Sequence, residues 1–395
     1  MDMRVAILHN FYLGRGGEDI VFKAEAGLLQ GQGHEVLTYT VSNEEIHRLK
    51  PWQAMRMAIW NASIYRELRQ WFREQRPSVA HFHNILFVLS PSAYQAAYDE
   101  GVAVVQTLHN YRLICPGGQL LRNQCPCELC VGKPLPVWGI YYGCYKNRLA
   151  TIGTTLHILR QRPLWQYAVQ SFIALTEFSR QKFIQGGLPV DKIVVKPNFV
   201  APDPGEGAHT GNYVLFVGRL SKEKGIEVML QAWAELPSSI PLKIVGNGPL
   251  AERVQQVTAC HPHIEWLGHQ PREKVLQLMQ DARLLVFPSV CYENMSVSLV
   301  EAMATGLPAV ASGHGSMASM IQHGQTGWLF EPGNPEALRR QVQEVWDSPA
   351  VLRQVGQSAR MEYLQKYTPE RNYEQLISIY ERAIELRKGG IQCGY

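Results

Sequence analysis

Short runs of β-branched and other apolar residues recur along the 395-residue chain, with amphipathic stretches between them. In the first half they predict strands at RVAILHNF (4–11), EVLTYT (35–40), VAHFHN (79–84), VAVVQTLHN (102–110), FIALT (172–176) and IVVKPN (193–198). The second half repeats the plan at YVLFVG (213–218), LKIVG (242–246), IEWLG (264–268), LLVFPS (284–289) and PAVAS (308–312). Apolar strands alternating with helices imply parallel sheets covered on both faces. Two such halves predict an α/β protein of two Rossmann-like domains. Between them APDPGEGAHTGN, rich in Pro, Gly and Asp, reads as a linker. The expected division is 1–200 for the first domain and 201–370 for the second. The helical segment 371–395 is expected to pack back towards the first domain.

Composition narrows the class. The chain is 46% hydrophobic and 18% charged, which suits large buried sheets, and its net charge of +4 is too small to suggest nucleic acid. That charge is uneven. Residues 1–198 hold 21 Lys and Arg against 14 Asp and Glu, and residues 199–395 hold 17 against 20, so the basic half should meet an acidic partner or surface. The chain has no apolar run of spanning length, and MDMRVAILHNF enters a strand with no cleavable leader, so a cytoplasmic location is expected.

In doubly wound sheets ligands bind beyond the carboxyl ends of strands, which singles out a few loops. LVFPSVCYENMSVSLVEAMATG runs from strand to helix. The amides of Asn294, Met295, Ser296 and Val297 open that helix and suit a phosphate. FVGRLSKEKG contributes Arg219 and Lys224 as an anion clamp. In IVGNGP, Gly246, Asn247 and Gly248 would let backbone approach a flat ring. HNFYLGRGGE places Gly16 and Gly17 after the first strand. Glu293 and Glu301 flank the helix mouth. A carboxylate repels phosphate, so both suit hydroxyls. Their eight-residue spacing corresponds to roughly 12 Å along a helix, the scale of a sugar–diphosphate–ribose unit. Two acids on a surface helix would be the ordinary alternative, but the adjoining cationic and glycine loops favour a site.

Glu293-x7-Glu301 followed by AMATGLPAVAS, with VGRLSKEKG and VGNGP upstream, resembles the retaining glycosyltransferases of family GT4, and the resemblance spans nearly the whole chain. It implies the GT-B fold, two Rossmann-like domains facing across a cleft, with a nucleotide-sugar donor on the second and an acceptor on the first. It also implies transfer with retained anomeric configuration and no divalent metal; the sequence has no Asp-x-Asp motif. Arg219 and Lys224 would stabilise the diphosphate leaving group, Glu301 would hold the ribose and Glu293 the donor-sugar hydroxyls. His109 matches the histidine of the family's His-Asp pair and would contact the donor sugar near the reaction centre; Asn110 replaces the aspartate. Domain closure would bring His109 over the donor. Gly16 and Gly17 match the loop that brings amides to diphosphate or acceptor. Met295-Ser296-Val297 replaces a common Phe-Gly-Leu, which leaves the sugar open. His9, His81 and His83 read as structural or acceptor-side.

Two further features stand apart from the donor motifs. Five of the eight cysteines fall between Cys115 and Cys144, and Cys127-x2-Cys130 has the spacing of a zinc knuckle. In the light of the resemblance, Cys115, Cys127, Cys130 and Cys144 are read as a closed structural zinc site, with an iron–sulfur cluster or free thiols as alternatives. Residues 47–77 and 137–165 mix Trp and Tyr with Arg and Lys, a composition compatible with peripheral contact at an anionic membrane face. The resulting expectation is a hexosyl or glycosyl transferase using a UDP-sugar by preference, with GDP and ADP forms open. Its acceptor would be a saccharide or lipid-linked saccharide in polysaccharide or glycoconjugate assembly. A GT-B nucleotide-sugar epimerase and a non-catalytic sugar-nucleotide-binding protein are the alternatives.

Overall fold

The structure is a computed structural model describing residues 2–12, 14, 16–47 and 49–392. Leu13 and Arg15 of the first glycine loop, Arg48 of the basic stretch and the end of the expected C-terminal helix (393–395) lie outside these residues. In chain order the strands are β1 (Arg4–Phe11), β2 (Glu35–Ser42), β3 (Val79–Asn84), β4 (Ala103–Thr107), β5 (Leu121–Arg122), β6 (Cys125–Pro126), β7 (Ser171–Ala174) and β8 (Ile193–Val195). They continue as β9 (Val214–Val217), β10 (Leu242–Val245), β11 (Ile264–Gly268), β12 (Leu284–Phe287), β13 (Ala309–Ser312) and β14 (Trp328–Phe330). The chain divides into two compact units. One comprises Met1–Leu120, Glu128–Pro197 and Asn372–Tyr395; the other comprises Leu121–Cys127 and Asn198–Arg371.

The first unit carries a six-stranded sheet in the order β2-β1-β3-β4-β7-β8, with every pairing parallel. β3 and β4 are buried along their whole length, so their faces alternate between two covered sides. Val5, Ile7, Phe22, Leu29, Val79, Val105 and Ile173 form one apolar core with Leu376, Ile379, Tyr380 and Ala383 of the helix Pro369–Gln392. Asn372 Nδ2 donates to Pro197 O at 3.0 Å where that helix enters the unit.

The second unit carries β11-β10-β9-β12-β13-β14, again all parallel. Numbered within the unit the order is 3-2-1-4-5-6, the doubly wound arrangement of dinucleotide-binding folds. Its core gathers Val214, Phe216, Ile226, Met229, Trp233, Leu242, Ile244, Leu284 and Val310, and Leu121 of the β5–β6 hairpin packs on that cluster. The order reverses between β9 and β12, so the loops leaving these two strands emerge side by side. Neither the hairpin nor β14 is legible as an apolar run, because the hairpin strands have two residues each and β14 has three.

Candidate functional site

The loops at the switch point of the second unit are drawn together by glycines. A Cβ on Gly246, whose φ is +138°, would sit 1.9 Å from Gly218 O, and a Cβ on Gly225, at φ +71°, would sit 1.9 Å from Pro288 O. Only glycine permits these approaches. Backbone hydrogen bonds then pin the loops: Leu220 N to Asn247 O at 3.0 Å, Leu250 N to Leu220 O at 2.9 Å and Val290 N to Glu223 O at 3.0 Å. Gly246 and Gly248 also let one loop lie against another, a Cβ on Gly248 falling 2.5 Å from Leu220 O.

This packing sets Lys224 beside Glu293. Lys224 Nζ donates to Glu293 Oε1 at 2.7 Å, and Ser289 Oγ donates to the same oxygen at 2.6 Å. Burial alone would raise the Glu293 carboxyl, but Lys224 and the hydrogen bonds from Ser289 and Cys291 outweigh it and hold the group below the usual carboxylate range. Burial likewise opposes the charge on Lys224, and the carboxylate overcomes it, so the ammonium is raised. Both groups are therefore charged at neutral pH. Burial pushes the neighbouring Cys291 thiol up, which leaves it protonated and inert.

The helix Val297–Thr305 begins after Ser296, and Gly306 ends it at φ +73°. Its first intrahelical acceptor is Ser296 O, bonded by Val300 N at 3.3 Å, so the amides of Val297, Ser298 and Leu299 have no acceptor within the helix. Glu301 is its fifth residue, a little over one turn from the mouth. The side chain is nearly buried, at 8% exposure, and Arg272 Nε reaches Glu301 Oε1 at 3.1 Å while Nη1 of the same arginine donates to Ala201 O at 3.0 Å. Burial raises the Glu301 carboxyl, and Arg272 offsets only part of that rise. Met295 is buried, and its Sδ accepts from Asn198 N at 3.1 Å. Arg219 and Asn247 lie on the loops themselves. Arg219 is exposed, and its guanidinium has no ion pair or hydrogen bond among the described residues. Asn247 Oδ1 accepts from Gly248 N at 2.7 Å.

In the first unit the carboxyl ends of β3 and β4 carry a line of histidines. Residues two apart on a strand share a face, so His81 and His83 look the same way as Thr107 and His109 beside them. His83 Nδ1 meets His109 Nε2 at 2.9 Å, and His81 Nε2 meets Thr107 Oγ1 at 2.7 Å. Beneath them lies Glu25 of the helix Gly17–Gly31, wholly buried. Its Oε1 is 2.5 Å from Lys196 Nζ, and its Oε2 is 3.2 Å from His83 Nε2 and 3.6 Å from His81 Nδ1. Burial opposes the Glu25 charge, yet Lys196 and the histidines hold its carboxyl well below the usual range. Burial lowers His81 and His109 well below the ordinary histidine value and lowers His83 too, so these imidazoles are neutral.

Gly16 caps the helix Gly17–Gly31 in extended geometry, φ −129° and ψ 176°, with its N–H donating to Asp19 Oδ2 at 2.9 Å. A Cβ there would meet nothing within 4 Å, so the packing of the chain itself does not demand glycine. Asp19 also takes His9 Nε2 at 2.7 Å. Burial, with Asp19 next to it, pushes the Glu18 carboxyl up to about 8. Asn110 accepts from Arg112 N at 3.1 Å, a loop-capping role where the family pattern has an acid.

The cysteine reading needs correction. Among the described residues, the groups of three or more converging metal-type side chains are Glu25, His81 and His83, and His9, Glu18 and Asp19; no cysteine belongs to either. Cys127 falls in the hairpin of the second unit, whereas Cys115, Cys130 and Cys144 belong to the first. Cys130 is buried while Cys144 is exposed. A closed four-thiolate zinc or iron–sulfur site requires four sulfurs around one point, and Cys115, Cys127, Cys130 and Cys144 do not form such a set. Their clustering in sequence reflects a short hairpin and the turns around it.

Sequence reasoning did not single out Arg272, Ser289, Glu25 or Lys196. HQPREKV reads only as the start of a surface helix. Lys196 and Glu25 carry a weak signal, an ionisable residue set within otherwise buried patterns.

A doubly wound unit with a charged, glycine-packed switch point defines a nucleotide-type binding fold. The glycosyltransferase family 4 model matches residues 15–204 and the glycosyl transferases group 1 model matches residues 203–362. Together they take in most of the chain, which belongs to these glycosyltransferases. The amylovoran biosynthesis glycosyltransferase AmsK of Erwinia amylovora is 26% identical over 226 residues, 53% of this chain and 56% of that protein. The D-rhamnosyltransferase WbpZ of Pseudomonas aeruginosa is 33% identical over 160 residues, 40% of this chain and 42% of that protein. The chain thus spans about half the length of the curated relatives it matches. Among solved structures, Anabaena HepE in complex with UDP aligns with a TM-score of 0.68 at 16% identity, covering 95% of this chain and 99% of that one. Sucrose-phosphate synthase of Thermosynechococcus elongatus aligns at 0.72 with 15% identity, covering 97% and 100%. These neighbours establish the GT-B fold.

Proposed function

We propose that the protein is a retaining glycosyltransferase that moves a sugar from a nucleotide donor, UDP-linked by preference, to a saccharide or lipid-linked saccharide in polysaccharide assembly. The observation that carries the proposal is the pairing of each glutamate with its own cation, Lys224–Glu293 and Arg272–Glu301, about one helix mouth at the switch point. In this reading the amides of Val297 to Leu299, with Arg219 and Lys224, take the diphosphate. Glu301 accepts hydrogen bonds from ribose hydroxyls and Glu293 from hydroxyls of the donor sugar. As the bond from the anomeric carbon to the phosphate oxygen breaks, negative charge grows on the departing diphosphate. Preorganised cations and amides stabilise it with no need of a divalent metal. Gly16 and Gly17 leave open backbone for an acceptor or phosphate, and His109 offers a neutral imidazole to a sugar hydroxyl. The complexes of Anabaena HepE with UDP and with UDP-glucose support the choice of base.

A thermal-shift screen of UDP-, GDP- and ADP-sugars tests the donor, since a ligand bound at 100 times its Kd stabilises by about 2.7 kcal/mol. UDP forms should raise the melting temperature most; silence from all three refutes donor binding. NMR of the product then reads the anomeric configuration, which should match the donor. Product formed without any acceptor identifies an epimerase instead, and binding without product a non-catalytic protein.

The location at a membrane face has its own support. Between Glu128 and Glu177 the chain has no acidic residue but has Lys133, Lys146, Arg148, Arg160 and Arg162. The same stretch exposes Trp138, Tyr141, Tyr142 and Leu149. Of the three tryptophans in the earlier basic stretch, only Trp52 is exposed, while Trp60 lies under the Arg160 guanidinium at 4.3 Å. Among the described residues no helix is long and apolar enough to cross a membrane. Co-sedimentation with phosphatidylglycerol vesicles, and not with phosphatidylcholine vesicles, is the expected result. Equal binding to both, or to neither, contradicts it.

A further inference from the structure

The buried chain Lys196–Glu25–His83–His109 has a direction. We propose that Glu25 and His83 are positioning residues that hold His109 as the Nε2–H tautomer, so that its Nδ1 is left as a hydrogen-bond acceptor for a hydroxyl of the sugar substrate. The last step of this inference rests on the glycosyl-transfer reading; the assignment of the protons does not.

Donors and acceptors along the chain fix where each proton sits. Lys196 Nζ has only hydrogens to give, and it gives one to Glu25 Oε1 at 2.5 Å. Glu25, wholly buried and paired with that cation, is a carboxylate and can only accept. Its second oxygen lies 3.2 Å from His83 Nε2, off the line of a hydrogen bond, but an anionic oxygen at that distance repels a nitrogen lone pair and attracts an N–H dipole, which assigns the hydrogen to Nε2. A neutral imidazole has one N–H, so His83 Nδ1 is bare and accepts. The atom facing it at 2.9 Å is His109 Nε2, which must therefore be the donor. The two rings are tilted by only 20° with centroids 5.1 Å apart, the arrangement of an edge-to-edge N–H···N contact in the ring plane. His109 Nδ1 is then bare, and among the described residues it has no hydrogen-bond partner. Burial favours the neutral form of both rings, as this assignment requires.

His81 does not interrupt the chain, being occupied by Tyr380 Oη at 2.8 Å and Thr107 Oγ1 at 2.7 Å. Nor is the Glu25–His81–His83 group a vacant cation site, since the Lys196 ammonium already fills it.

The Glu25→Gln variant makes the claim sharp. Lys196 would keep the amide oxygen on its side and turn the amide N–H₂ towards His83. His83 Nε2 would then have to accept, its hydrogen would move to Nδ1, and His109 would be driven to the Nδ1–H form. Long-range ¹H–¹⁵N spectra of histidine-labelled, ligand-free protein read both tautomers directly, with His83→Phe and His109→Gln assigning the signals. The expected result is Nε2–H at both residues in the wild type and Nδ1–H at both in Glu25→Gln. Nδ1–H at either residue in the wild type, or no change in a folded Glu25→Gln, overturns the inference. If Glu25→Gln does not fold, the wild-type spectrum decides alone. With UDP-glucose as probe donor, the folded variant should lose roughly tenfold to a hundredfold in kcat, the effect of an unmatched polar group, with KM within about twofold. A wild type inactive on UDP-glucose counts against the proposed donor and leaves the spectral result standing.

Discussion

Replacing Lys224 by methionine keeps the stem of the side chain and removes the charge that neutralises Glu293. The pair is only 24% and 13% exposed, and Nζ and Oε1 are 2.7 Å apart, so water cannot take over the role of the ammonium. Breaking a buried pair from one side costs about 3–5 kcal/mol, much of it the desolvation of the remaining ion. Ser289 Oγ still donates to Glu293 Oε1 at 2.6 Å, which places the expected loss near the low end, about 3 kcal/mol. For a chain of 395 residues that lowers the melting temperature by roughly 4 °C. The sign with pH follows from the two carboxyl states. In the wild type the Glu293 carboxyl is held below its unfolded value, so its contribution is present above that value and lost as pH falls through the folded one. In Lys224→Met the burial term is left unopposed and the carboxyl moves above its unfolded value. The penalty is then largest at neutral pH and shrinks on acidification as Glu293 takes up a proton. Adding Glu293→Gln should recover most of the loss at neutral pH. Thermal denaturation of the wild type, both single variants and the double variant at pH 7.5 and 5.5 measures all of this. A Lys224→Met loss below about 1 kcal/mol, equal at both pH values and additive with Glu293→Gln, would refute the reasoning.

Other consequences are as direct. Gly225→Ala forces a Cβ to within 1.9 Å of Pro288 O at a positive φ and should destabilise by about 3 kcal/mol or more, read by urea denaturation; a loss under 1 kcal/mol contradicts the loop packing. Glu18, with a folded value of about 8, binds its proton more tightly folded than unfolded, so stability should fall as pH rises from about 4.5 to 8. Glu18→Gln should remove upwards of about 1 kcal/mol of that slope, and parallel stability–pH curves for the two proteins count against it. Dialysis against a chelator should leave the melting temperature unchanged, because Cys115, Cys127, Cys130 and Cys144 do not converge; co-purified zinc whose removal lowers it reverses that correction.

Much of the architecture was legible because burial on both faces leaves unbroken apolar runs, as in β1, β3 and β12. The elements that escaped, β14 and the β5–β6 hairpin, are too short to show a period. At the site, Glu293, Glu301 and Lys224 stood out because their spacing is local to two loops. Their partners did not. Arg272 reaches Glu301 from 29 residues away, and Glu25 meets Lys196 across 171. Such pairings come from tertiary packing, and a local pattern holds no trace of them. The four cysteines failed for the converse reason: closeness along the chain suggested a convergence in space that the fold does not make.

The most direct test of nucleotide binding at the second unit is a calorimetric titration of UDP into the wild type, Glu301→Ala and Glu293→Gln. Binding to the wild type, a loss of about tenfold or more in Glu301→Ala, and affinity within about threefold in Glu293→Gln are expected, since only Glu301 is assigned to the ribose. No binding by the wild type, or equal affinity in Glu301→Ala, contradicts the account.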